Sequence, residues 1–191
     1  TSLAAFMATC ENLDTLKILG RSQGSIDTFV AWVKDNYPQL TTIEVVGDLE
    51  TLVRGSDIVT YCGSCETGDV SKYPIVKREW LKAGAFLSMP AACEIDAGME
   101  LPRPAHVHVP VIGVRFLDMI DQGKMSKDEL EDLGDICAGA TAGRRNDEEI
   151  IILSVGGMPV EDVAWGTVIY RNALEKGIGT KLNLWDEPAL R

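Results

Sequence analysis

The run Cys93-Glu94-Ile95-Asp96 places a thiol and two carboxylates within four residues, just past the apolar stretch Ala85-Phe86-Leu87-Ser88-Met89. That stretch reads as a β-strand. Open α/β sheets hold their chemistry at the carboxyl ends of such strands, where a carboxylate can move protons for a substrate. Glu94 is the candidate acid/base group, with Cys93 and Asp96 beside it; the competing reading is a solvated loop. A second constellation is Gly20-Arg21-Ser22, which follows the short apolar run Leu16-Lys17-Ile18-Leu19. In a dinucleotide-binding fold the end of the second strand faces the adenosine ribose. An acidic residue there grips the 2′-hydroxyl of NAD, whereas an arginine suits the 2′-phosphate of NADP. The competing reading is an exposed loop arginine.

Other candidates carry less chemistry. Cys62-Gly63-Ser64-Cys65 is a C-x-x-C without the second Cys/His pair that zinc needs, and no helix pattern starts behind it as in redox motifs. It reads as a turn whose small residues can approach a cofactor. His106 and His108 share one strand face by two-residue alternation, but no third ligand accompanies them, so no metal site is expected. Arg144-Arg145-Asn146-Asp147-Glu148-Glu149 reads as a salt-bridged surface loop. A G-x-G-x-x-G turn between a first strand and a first helix, which would cradle a pyrophosphate, is missing. The chain opens at Thr1 directly in a helical pattern, and so reads as a piece of something longer.

The elements that must position these residues alternate between helix and strand. Leu3, Phe6, Met7 and Cys10 recur at helical spacing; residues 16–19 form a strand; Ile26, Phe29, Val30 and Val33 mark a helix stopped by Pro38. Residues 43–46, 57–61 and 85–89 read as further strands, and 49–54 and 77–82 as short helices. Residues 106–112 are β-rich. Ser126-Lys127-Asp128-Glu129 is a capping box that should open a helix carrying Leu130, Leu133 and Ile136 and ending near Gly139. A strand over 149–154 precedes a helix begun by Pro159, with Glu161 and Asp162 complementing its dipole and Val160, Val163, Ala164, Thr167 and Val168 as its buried face. Such alternation predicts βαβ units around a mostly parallel sheet.

Composition narrows the class. Of 191 residues, 18 are basic and 29 acidic, for a net charge of −11, which argues against a nucleic-acid footprint. The longest apolar run, 150–158, is too short to cross a membrane. The five cysteines are odd in number and mostly sit in apolar runs, a poor disulfide framework, and no signal peptide precedes them. These features predict a cytoplasmic protein.

The order of segments resembles the ornithine cyclodeaminase/mu-crystallin family. The resemblance rests on Gly134-Asp135-Ile136-Cys137-Ala138-Gly139, on Gly143-Arg144-Arg145-Asn146-Asp147-Glu148-Glu149-Ile150, on Ser154-Val155-Gly156 and on Val160-Glu161-Asp162. Gly55-Ser56-Asp57-Ile58-Val59-Thr60 and Trp80-Leu81-Lys82-Ala83-Gly84-Ala85 add to it. It implies an α/β, Rossmann-like, doubly wound sheet over residues 1–179 that lacks its first strand. Residues 180–191 would be a tail returning toward a dimerisation and substrate domain outside this chain. It implies NADP(H) in preference to NAD(H), held by Gly20, Arg21, Ser22, by Tyr61, Cys62, Gly63 and by Ser154, Val155, Gly156. It further implies an oxidoreductase acting on an imine or amino acid, working as a homodimer. The resemblance also allows a non-catalytic cofactor-dependent binding subunit, or a cyclodeaminase-type lyase. Cyclodeaminases carry a catalytic Asp after the strand equivalent to 85–89; here Cys93 stands in that slot, with Glu94 next to it.

Overall fold

The computed structural model describes residues 2–62, 75–89, 94–95, 106–108, 120–123, 126, 128, 130–154 and 159–182. The chain forms two compact units, Thr1–Gly156 and Gly157–Arg191.

In the first unit, helix α1 (Ser2–Thr9) leads to strand β1 (Thr15–Ile18), helix α2 (Gln23–Asn36), β2 (Thr42–Val45), the short helix α3 (Leu49–Val53) and β3 (Ile58–Thr60). Then come β4 (Ile75–Val76), a 3-10 turn (Arg78–Trp80), β5 (Phe86–Met89), β6 (Glu94–Ile95), β7 (His106–His108), β8 (Leu130–Glu131), helix α4 (Leu133–Cys137) and β9 (Ile151–Ser154). Every described strand pair is parallel. The pairs make a five-stranded sheet in the order β3-β5-β9-β7-β8 and two-stranded sheets β1-β2 and β4-β6. This is the parallel α/β architecture that the helix/strand alternation predicts, and it agrees with the Rossmann-like sheet that the family resemblance implies.

Burial explains why these residues form strands. Ile150, Ile151 and Ile152 are all buried, so β9 is covered on both faces, as a near-continuous apolar run in a parallel sheet requires. Around it, Val53, Val59, Val76, Leu81, Ala85, Leu87 and Met89 complete one core, with Leu49, Tyr61 and Trp80 packed against it. Burying each large aliphatic side chain stabilises by roughly 1.5–3 kcal/mol. Helix α1 joins this sheet through Phe6, whose ring meets Phe86 of β5 edge-on at 6.3 Å. Helix α2 buries Ile26 and Val33, two turns apart on one face.

Three expectations are corrected. No helix runs on from the Ser126 capping box. Ser126 Oγ accepts from Asp128 N at 3.3 Å, but Leu130–Glu131 pairs with β7 instead. The helix starts later, capped by Asp132, whose Oδ1 accepts from Gly134 N at 2.6 Å. The expected helix over 77–82 contracts to one 3-10 turn, Arg78–Trp80. In the second unit, helix α5 (Pro159–Lys176) carries Glu161 and Asp162 in its first turn as expected, but none of its residues is buried. Val160, Val163 and Val168 are all exposed, because the described residues of that unit supply no second element to cover them.

Candidate functional site at the carboxyl ends of the strands

In parallel α/β sheets ligands bind beyond the carboxyl ends of the strands, and Gly20, Arg21, Ser22, Tyr61, Cys62 and Ser154 lie at or just past such ends. Strand β1 stops at Ile18, and Gly20, Arg21 and Ser22 form the turn into α2. A Cβ on Gly20 would lie 2.9 Å from Ile26 Cγ1, so any larger residue in this turn must displace the buried Ile26 side chain of the helix. Ser22 caps α2 with extended backbone (φ −121°, ψ 122°), and its hydroxyl makes no capping bond. Arg21 between them is exposed.

Strand β3 has its own carboxyl-end contacts. Tyr61 N donates to Ser88 O of β5 at 3.0 Å, fixing the exit of the chain from the sheet. Cys62 Sγ lies 3.4 Å from Thr60 Oγ1 and 3.5 Å from Ser2 Oγ, the first residue of α1. The N-terminus of α1 therefore sits at the carboxyl end of β3. Neither α1 nor α2 has an acidic residue in its first turn, so both helix ends keep their partial positive charge open to an anion. Sequence reasoning missed Ser2; a small polar residue opening a helix was its only local signal.

The β9 end is set by register. Ser154 is the last residue of β9 and lies opposite Met89 at the end of β5. Val155, Gly156, Gly63, Cys93 and Asp96 lie outside the described residues. Glu94 lies in β6, opposite Ile75 of β4, in a short parallel ladder rather than in a loop. No described contact brings β6 to Ser154 or to Gly20-Arg21-Ser22.

The opposite, amino-terminal end of the sheet holds this register. Arg144, read from sequence as part of a salt-bridged surface loop, donates from Nη1 to Glu149 O at 2.6 Å and from Nη2 to Gly84 O at 2.9 Å. Gly84 N donates to Glu148 O at 3.0 Å, and Ile151 N to Ala85 O at 3.0 Å. The buried Glu149 carboxylate accepts Arg145 N at 2.7 Å, and the Arg145 guanidinium pairs with Glu131 of β8. One loop thus ties the amino ends of β5 and β9 together and holds Glu131, the last residue of β8, through Arg145.

At the end of β2, Asp48 caps α3. Its carboxyl is held below the ordinary carboxylate range, first by the Thr51 N–H at 2.8 Å and then by the Thr51 hydroxyl at 2.8 Å. Among the described residues, no group of three His, Cys, Asp or Glu could hold a metal ion, and no helix is long and apolar enough to cross a membrane.

Parallel strands with helix N-termini and a glycine turn at their carboxyl ends define a dinucleotide-type α/β domain. The family model of the ornithine cyclodeaminase/mu-crystallin family matches residues 1–177, and the chain belongs to that family. It is 26% identical over 206 aligned positions to an alanine dehydrogenase of Archaeoglobus fulgidus, covering 88% of this chain and 63% of that protein. It is 24% identical to the N-((2S)-2-amino-2-carboxyethyl)-L-glutamate dehydrogenase of Staphylococcus aureus, covering 96% of this chain and 54% of that protein. Among solved structures, an archaeal alanine dehydrogenase dimer with bound NAD superposes with a TM-score of 0.74 at 22% identity, over 96% of this chain and 57% of that one. The Δ1-pyrroline-2-carboxylate reductase of Thermococcus litoralis, in complex with NADH and L-proline, superposes at 0.72 and 22% identity, over 95% of this chain and 57% of that one. At those identities the superpositions show the fold. The chain spans between half and two thirds of the length of the curated relatives it matches.

Proposed function

We propose that this chain is the NADP(H)-binding part of an oxidoreductase acting on an imine or amino acid. The observation that carries the reading is the turn Gly20-Arg21-Ser22. The turn presents an exposed arginine and a serine hydroxyl that makes no capping bond, and none of its three residues is acidic. Arg21 would hold the 2′-phosphate by planar, two-point contacts and Ser22 would add a hydroxyl donor. The N-termini of α1 and α2 would favour the remaining phosphate charge. Tyr61 and Cys62, with Gly63 after them, would line the path from ribose to nicotinamide. Ser154, Val155 and Gly156 would flank the ring. The names of the relatives, dehydrogenases and reductases of amino acids and their cyclic imines, support the reaction class.

The cofactor, when bound, supplies the hydride; the chain's own residues position and protonate. Glu94 would deliver or take the proton at the substrate nitrogen as hydride moves to or from the adjacent carbon, with Cys93 and Asp96 as its neighbours. The reactive substrate would be held, and the homodimer formed, largely by polypeptide outside this chain. Cys10, Cys62 and Cys137 are free thiols, as a reducing compartment keeps them, which supports a place in the cytoplasm.

Incubating the full-length protein with NADPH and a panel of cyclic imines, and of 2-oxo acids with amines, tests the reading. Loss of reduced cofactor with a stoichiometric amino product is expected. Cysteine in the slot where cyclodeaminases carry Asp favours a second reading, a cofactor-dependent binding subunit. Tight NADPH binding without turnover across the panel would select it.

A further inference from the structure

The helix behind the Gly20-Arg21-Ser22 turn carries a single charge in its first three turns. From Ser22 to Val33 the only charged residue is Asp27. Asp27 is exposed, and its Oδ1 accepts from Gln23 Nε2 at 2.7 Å. Gln23 is the first residue of α2, directly after the Ser22 cap. Side chains four apart share one helix face, with Cβ atoms about 5–6 Å apart, and helical side chains lean toward the N-terminus. The hydrogen bond therefore draws a full negative charge back over the first turn of α2.

That helix end is the one onto which the turn folds. A Cβ on Gly20 would lie 2.9 Å from Cγ1 of Ile26, the residue before Asp27. The first turn is also open to a ligand. Ser22, Gln23, Gly24 and Ser25 are all exposed, and nothing lies within 4 Å of where a Cβ on Gly24 would stand. An anion arriving beside Arg21 thus meets two opposite charges, the guanidinium in the turn and the carboxylate held over the helix end. A neutral hydroxyl in the same place feels little from the carboxylate. A phosphate monoester carries close to two negative charges and is repelled.

We propose that Asp27 is a specificity-determining residue of the cofactor site: its carboxylate, tethered by Gln23, opposes the 2′-phosphate that Arg21 attracts, and so narrows the margin between NADPH and NADH. Resting on the Arg21 reading, the proposal makes discrimination a balance of two charges rather than a property of the arginine alone. NADPH and NADH differ only in the 2′ substituent, so a charge acting there changes the ratio of their affinities and little else. A purely structural part for Asp27, complementing the dipole of α2, moves thermal stability and leaves that ratio untouched.

Fluorescence titration of the full-length protein with NADPH and with NADH tests it, in wild type, Asp27→Asn and Asp27→Lys. Asparagine keeps the side-chain size and an acceptor for Gln23; lysine doubles the change in charge. Across roughly 10 Å of water at about 10 mM ionic strength, Asp27→Asn should tighten NADPH binding about two- to fivefold. Asp27→Lys should tighten it by about the square of that factor, with NADH affinity staying within about twofold in both variants. At about 1 M ionic strength, where the screening length is about 3 Å, the gains should vanish. Unchanged NADPH affinity in both variants overturns the proposal. Equal tightening of NADPH and NADH, or a gain that survives high salt, overturns it as well. Arg21→Gln, titrated in parallel, separates this inference from the cofactor reading. If it weakens NADPH binding while the Asp27 series stays flat, the cofactor reading stands and this inference alone fails. If it leaves NADPH binding unchanged, the ribose reading fails and the inference falls with it.

Discussion

Replacing Gly84 by alanine tests whether the loop around Arg144 fixes the register that brings Ser154 opposite Met89. Gly84 and Gly55 have nearly the same left-handed backbone, φ +76° and +75°. Any Cβ pays for that conformation, about 1–2 kcal/mol, so Gly55→Ala measures the conformational cost by itself: nothing lies within 4 Å of the new methyl there. At Gly84 the new Cβ would sit 2.3 Å from the carbonyl oxygen of Asp147. The clash is with backbone, so no rotamer relieves it and the loop must shift. That breaks the Gly84 N to Glu148 O bond and the Arg144 to Gly84 O bond. A neutral backbone bond contributes about 0.5–1.5 kcal/mol and one from a charged donor about 1.5–3 kcal/mol. Gly84→Ala should therefore cost roughly 2–4 kcal/mol more than Gly55→Ala. For a chain of this size each kcal/mol lowers Tm by about 2–4 °C, an excess drop of roughly 5–15 °C by circular dichroism. Arg144→Ala alone should reproduce much of that excess loss, and the Gly84→Ala/Arg144→Ala pair should cost clearly less than the sum of the two. Equal Tm losses at Gly84 and Gly55 would refute the interlock.

Other expectations follow from the site. Arg21→Asp should weaken NADPH binding by roughly ten- to a hundredfold, as loss of a charge-assisted contact does, and should reverse the preference toward NADH in fluorescence titrations; wild-type protein binding NADH as tightly as NADPH contradicts the ribose reading. Glu94→Gln should lower kcat by roughly 10²–10⁴-fold while leaving NADPH affinity nearly unchanged; an unaltered kcat would shift the acid/base role to Asp96 or Cys93. For Asp48, the depressed folded value means that its capping contribution is complete above the ordinary Asp value, about 3.9, and fades as pH falls through the folded value. The Tm difference between wild type and Asp48→Ala should accordingly narrow on acidification from neutral pH, and a gap that stays constant down to the acid transition would contradict the capping account.

What the sequence shows of this protein depends on how far apart the interacting residues lie. Strands at 16–19, 43–46 and 85–89 are legible within a residue or so, because each is a short apolar, β-branched-rich or aromatic run set between turn residues, although only 85–89 is substantially buried. Gly20-Arg21-Ser22 is legible for the same reason: a strand end and the helix start behind it are local. The Ser126 capping box misleads because its local signal competes with a distant one. Leu130 and Glu131 find β7, more than twenty residues upstream, and Asp132 then supplies a cap that the chain uses instead. The Ser2–Cys62 contact spans sixty residues and leaves no spacing signature. Arg144 escapes notice for a different reason: its partners are the carbonyls of Gly84 and Glu149, and side-chain patterns carry no record of carbonyls. The two arginines lie at opposite ends of their strands. Arg144 donates to backbone carbonyls at the amino ends of β5 and β9, where register is set, and Arg21 lies exposed in the turn that follows the carboxyl end of β1. The second is legible from sequence because a strand end and the helix start behind it are neighbours in the chain; the first is not, because the carbonyls that hold it belong to residues the chain brings together only on folding.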